Sequence, residues 1–183
     1  EDVKATLYEG GPFGTYYWAG AGQRVTKNLD GDDSRVIMDR VIPFIEESVN
    51  LNQPFLSIIW FHAPHLPVLT GEQYKSLYSQ LSEDQQHYYG VISALDEQVG
   101  RLRNQLKSLG VAYNTLIFYT SDNGPETSKE VRDKNIPFGR AQGITNGLSG
   151  RKRSLLEGGI RVPGIIEWPA KIPSGTRVDV PCF

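Results

Sequence analysis

The chain has 183 residues, 39% hydrophobic and 22% charged, with a formal net charge of −2. That balance excludes a disordered chain and removes any whole-chain argument for nucleic-acid binding. No run approaches 18 consecutive apolar residues, so no membrane span is expected, and the single cysteine, Cys182, leaves no internal disulfide.

Residues 1–30 are rich in glycine and aromatics, which predicts irregular chain with short strands; Tyr16, Tyr17 and Trp18 are expected to pack in a core, with the rim of a substrate site as the alternative. Asp32, Asp33 and Ser34 offer N-caps to a helix reaching about Val49. Its apolar positions Val36, Ile37, Val41, Phe44 and Ile45 recur every three to four residues, and Pro43 is expected to kink or start it. Phe55–Phe61 is a continuous apolar run, the mark of a strand buried on both faces. It ends in the loop His62-Ala63-Pro64-His65-Leu66-Pro67, and residues 71–78 follow as a short helix.

The strongest helical signal runs from Glu83 to Leu109, where Tyr88, Ile92, Leu95, Val99, Leu102, Leu106 and Leu109 form one stripe. Ser82 caps its start, Gly110 stops it, and His87 is expected to be solvated. Residues 115–120 form a second buried strand, ending in Ser121-Asp122-Asn123-Gly124-Pro125. Residues 124–150 lack periodicity, a length of loop that is usually functional or mobile. A short strand near Val162–Glu167 closes the pattern at Trp168-Pro169. Strand, helix, strand, loop, strand predicts an α/β domain with a mostly parallel sheet flanked by helices.

In open α/β sheets, ligands bind beyond the carboxyl ends of the strands. His62 and His65 follow the first strand, and Asp122 and Asn123 follow the second, so side-by-side strands would bring them into one crevice. An adjacent carboxylate and carboxamide suit a hard divalent ion such as Ca²⁺ or Mg²⁺, although Asp-Asn-Gly-Pro is equally an ordinary turn. The two histidines lack the further His or Cys that a zinc site needs. Arg151-Lys152-Arg153 reads as a solvated cationic patch, or as one cation reaching into the crevice to hold an anion.

Taken together, three segments resemble the sulfatase family of the alkaline-phosphatase-like hydrolases. They are Phe61-His62-Ala63-Pro64-His65-Leu66-Pro67, Thr120-Ser121-Asp122-Asn123-Gly124-Pro125, and Lys152 placed five residues before Glu157-Gly158-Gly159, with Arg161-Val162-Pro163 and Trp168-Pro169 following. The resemblance spans about residues 34–183. It implies a partial alkaline-phosphatase-like sandwich and a sulfuric ester hydrolase acting on sulfated carbohydrates or aryl compounds. Asp122 and Asn123 match the late pair of metal ligands, normally to Ca²⁺ with Mg²⁺ as the alternative. His65 matches the histidine that contacts sulfate and helps protonate the leaving oxygen, and Lys152 matches the sulfate-binding lysine. His62 is expected to be structural or at the rim, and Glu157 and Arg161 to fix the loop.

The family's nucleophile is a formylglycine made from Cys or Ser in a Cys/Ser-x-Pro/Ala-x-Arg motif. That motif is absent from these residues, as are matches to the early metal-binding aspartates. Residues 1–183 are therefore expected to be part of one catalytic domain whose nucleophile-bearing N-terminal portion lies elsewhere, and to be inactive alone. The family also implies an exported protein: periplasmic, secreted or lysosomal. A phosphodiesterase or phosphonate hydrolase of the same superfamily, and a non-catalytic anion-binding module, are the alternative readings.

Overall fold

The computed structural model describes residues 16–126 and 140–180. Cys182 and the middle of the 124–150 loop lie outside the described residues. Helix α1 (Asp33–Asn50) starts where the Asp32 carboxylate accepts a hydrogen bond from Ser34 N at 2.8 Å, an N-cap of the expected kind. It continues through Pro43 rather than starting there. Its inward face carries Met38, Ile42 and Ile45.

Helix α3 (Glu83–Ser108) follows the short α2 (Glu72–Lys75) and a 3₁₀ turn at Ser76–Tyr78. Its start is a full capping box: Gln85 N donates to Ser82 Oγ, and Ser82 N donates to Gln85 Oε1. Leu102 and Leu106 of α3 meet the α1 residues to form the main core. Interlocking the two apolar stripes fixes the pair as one layer, and Leu106 is 2% exposed. A smaller cluster of Leu66, Val68 and Val91 fastens the 62–70 loop to α3.

His87 differs from its expected place. It is 4% exposed and its Nδ1 accepts a hydrogen bond from Thr70 N at 3.2 Å. Burial, reinforced by the charges of Arg140 and Lys75, lowers its pKa to about 4.

Two short two-stranded ladders accompany this helical layer. Strand β1 (Trp18–Gly20) pairs with β2 (Gln23–Arg24), and β3 (Ile117–Thr120) pairs with β4 (Gly164–Glu167); both ladders are antiparallel. Arg103 of α3 grips Glu167 of β4 with Nε and Nη2 at 2.7 and 2.9 Å. The Phe55–Phe61 run packs on the α1–α3 core through Phe55, Ile59 and Phe61. It joins no ladder among the described residues. Its opposite face is open, with Leu56 and Trp60 each 81% exposed and Ile58 70%. The sequence predicts cover on both faces, and only one is covered among the described residues. Trp18 is 57% exposed, so it is a surface residue rather than the expected core residue. No helix among the described residues is long and apolar enough to cross a membrane.

Candidate functional site

A cavity of about 2250 Å³ opens between the Phe55–Phe61 run and β3. Its floor is apolar, because Leu102 and Leu106 of α3 reach it from the helical layer. Its polar rim is built by three loops and includes His62, His65, Asp122, Asn123, Lys152 and Arg161. The two segments do not pair directly as the sequence suggests; they face each other across this space. The residues that follow both segments, His62 and His65 on one side and Asp122 and Asn123 on the other, border the same cavity.

The first loop leaves the core after Phe61 and turns where His65 N donates to His62 O at 2.7 Å. The peptide bonds preceding Pro64 and Pro67 are cis. His65 Nδ1 lies 2.6 Å from Leu66 O. A carbonyl only accepts, so Nδ1 carries the proton and Nε2 is the nitrogen left for chemistry. His62 Nδ1 lies 3.1 Å from both carboxylate oxygens of Asp33, in the first turn of α1. That hydrogen bond raises the His62 pKa against the opposing effect of burial.

The second loop follows β3. Asn123 Nδ2 donates to Gly124 O at 2.8 Å, which leaves the Asn123 side-chain oxygen free to act as a donor to a cation. Asp122 is exposed beside it. Both oxygens suit a hard cation by chemistry but fall short in number, since Ca²⁺ takes about 6–8 oxygen ligands. Among the described residues no group of three or more His, Cys, Asp or Glu could hold a metal ion.

The third loop gives its three cations three different surroundings, so it is not a uniform solvated patch. Arg151 turns inward and donates from Nη1 to Gly143 O at 2.8 Å and Glu126 O at 3.2 Å. Arg153 is more exposed and reaches Glu126 Oε1 at 2.6 Å. Lys152 lines the cavity, its Nζ 3.9 Å from Glu126 Oε2. Glu126 escapes a motif reading; its only signal in sequence is a carboxylate just after Asn123-Gly124-Pro125.

Main-chain contacts hold the second and third loops together. Gly124 N donates to Gly159 O at 2.8 Å and Lys152 N to Pro125 O at 3.1 Å, while a bond from Gly158 N to Ser149 O at 2.7 Å closes the third loop on itself. A Cβ on Gly124 would overlap Gly158 O, and one on Gly159 would overlap Ser154 O. Only glycine permits backbones to approach this closely. Arg161 pairs with Glu157 at 3.1 Å one turn away, both side chains being exposed.

Comparison with known proteins bears on this arrangement. The family model described as Sulfatase matches residues 5–181. The chain is 34% identical to human steryl-sulfatase over 133 residues, which are 72% of this chain and 21% of that protein. It is 31% identical over 152 residues to pig N-acetylgalactosamine-6-sulfatase, covering 81% of this chain and 26% of that protein. Among solved structures, Ps i-CgsB in complex with k-i-k-neocarrahexaose superposes with a TM-score of 0.70 at 28% identity, covering 84% of this chain and 31% of the other. PsFucS1 sulfatase from Pseudoalteromonas sp. gives 0.67 at 27% identity, covering 85% and 29%. The chain thus spans about a fifth to a quarter of the length of these curated relatives. Its architecture is the α/β, alkaline-phosphatase-like one of these neighbours. On the match across nearly its whole length, this chain belongs to the sulfatase family.

Proposed function

We propose that residues 1–183 supply one side of a sulfate ester hydrolase site, as part of a single catalytic domain. The observation that carries this reading is that His65, Asp122, Asn123 and Lys152, from three separate loops, border one cavity in a sulfatase-family chain. Lys152 holds the sulfate as a point charge. In its doubly protonated form His65 delivers the Nε2 proton to the leaving alkoxide and is left as the neutral ring, its remaining Nδ1 proton still held by Leu66 O. Asp122 and Asn123 provide two of the oxygen ligands of a Ca²⁺ ion, with Mg²⁺ as the alternative. That ion, when bound, supplies charge neutralisation at the sulfate oxygens.

The nucleophile and remaining metal ligands come from polypeptide outside these residues, with formylglycine as the expected nucleophile. The substrate is a sulfated glycan or small molecule, and export from the cytoplasm follows from the family. The family match favours a sulfate ester over the phosphodiester alternative.

The test is hydrolysis of 4-nitrophenyl sulfate by the intact protein as its gene encodes it. Lys152→Ala is expected to lower kcat/KM by about 10²–10³-fold, the cost of losing one preorganised charge-stabilising group. His65→Ala acts less on this activated phenol than on an alkyl sulfate, whose leaving oxygen needs the proton. Turnover undiminished in Lys152→Ala overturns the reading.

A further inference from the structure

Within the site proposed above, one pair of side chains has no part assigned to it. His62 is held by Asp33, which contacts Nδ1 with both carboxylate oxygens at 3.1 Å. Asp33 is free for this because Asp32, not Asp33, caps α1. The carboxylate therefore sits on a rigid helix end and aims an imidazole whose side chain stays 70% exposed. A histidine serving the core would be buried, as His87 is. His62 instead lines the cavity, three residues before His65 in the same loop. The Tyr17 ring lies 6.3 Å from its ring, tilted by 45°.

With Nδ1 committed to Asp33, Nε2 is the nitrogen that remains for a ligand. The neutral ring offers an acceptor there and the charged ring a donor. A hydroxyl group satisfies either state, because it both donates and accepts. A hydrocarbon surface satisfies neither.

We propose that His62, oriented by Asp33 and flanked by Tyr17, contacts the alcohol half of the sulfate ester, and that this half is a hydroxyl-bearing sugar ring. His62 is then a specificity residue and Asp33 a positioning residue. Hydrogen-bonding sites of this kind discriminate strongly against analogues lacking the hydroxyl, because the site's own polar groups are left unpaired.

The experiment compares the intact protein on a panel of monosulfated hexoses, on 4-nitrophenyl sulfate and on a steroid sulfate. Wild type is expected to prefer a member of the hexose panel. His62→Ala should lower kcat/KM on that sugar by about 10-fold or more, chiefly through KM, while 4-nitrophenyl sulfate stays within about twofold. Asp33→Asn should show the same split to a smaller degree, and His62→Gln should recover part of the loss. An equal loss on both substrates assigns His62 a structural or sulfate-centred role and overturns the proposal. A wild-type preference for the steroid or aryl sulfate also overturns it. Lys152→Ala separates the two readings, since it strikes every substrate alike if the site is a sulfatase site.

A measurement independent of turnover uses ¹⁵N-histidine NMR of the intact protein. Galactose 6-sulfate should shift the His62 Nε2 resonance, and Asp33→Asn should lower the His62 titration midpoint. An Nε2 resonance that ignores every sugar of the panel overturns the proposal even where no ester is cleaved.

Discussion

At the scale of single residues, His87 gives the sharpest physical consequence. Its ring accepts from Thr70 N inside the protein and resists protonation, with a pKa near 4 against the usual 6.5. Below pH 6.5 the unfolded chain takes up a proton at this histidine that the folded chain refuses. Stability from His87 is therefore complete above pH 6.5 and is lost as pH falls towards 4, by up to ~3 kcal/mol. His87→Asn retains an acceptor for Thr70 and cannot titrate. Urea unfolding across pH 7 to 4 should accordingly fall less steeply in the variant than in wild type; parallel pH profiles would refute the assignment. Sequence alone points the other way here, because a polar residue near a helix start reads as solvated. What buries it is the 66–70 loop, whose fold over α3 is not visible in local pattern.

At the scale of elements, helix α3 offers a controlled contrast between two of its own glycines. A Cβ on Gly100 would meet nothing within 4 Å, so the glycine adds only backbone entropy to the unfolded state. Gly100→Ala is expected to stabilise by ~0.5–1 kcal/mol. A Cβ on Gly90 would come 2.5 Å from Thr70 Cγ2 and 3.3 Å from Tyr74. Gly90→Ala should cost ~1–3 kcal/mol through displacement of α2 and the 66–70 loop. Thermal unfolding of both variants checks the pair. The helix itself was legible because cap, stripe and stop agree at Ser82, Leu95–Leu106 and Gly110. Helix α1 was legible from its cap and its apolar spacing, but its buried stripe is Val36, Met38, Ile42 and Ile45, and Phe44 of the expected stripe is 47% exposed. The loops were legible only as motifs: nothing local to Lys152 says that its backbone nitrogen binds Pro125 O.

At the scale of the whole molecule, one layer of helices covers one face of the extended segments. Phe55–Phe61 reads as a strand enclosed on both sides because both of its faces carry large apolar side chains. Among the described residues the outward set, Leu56, Ile58 and Trp60, meets no core cluster. Contiguous apolar surface of this kind marks an association site. The 183-residue chain on its own is expected to bind bis-ANS strongly and to elute ahead of a monomer on gel filtration. Replacing Leu56, Ile58 and Trp60 together by serine should return it towards monomer and lower dye binding, without a matching loss of Tm. Unchanged elution and dye signal would refute this account of the exposed face.

The glycine contacts between the second and third loops bear on how this site could be re-engineered. Gly124, Gly158 and Gly159 join two stretches of chain through main-chain atoms, which are the same whatever side chains surround them. Rim side chains can therefore be exchanged one at a time to retune selectivity. Insertions, deletions or loop grafts cannot: the Asp122–Asn123 corner and the Lys152 turn are a single transplantable part, and a donor sequence has to bring both.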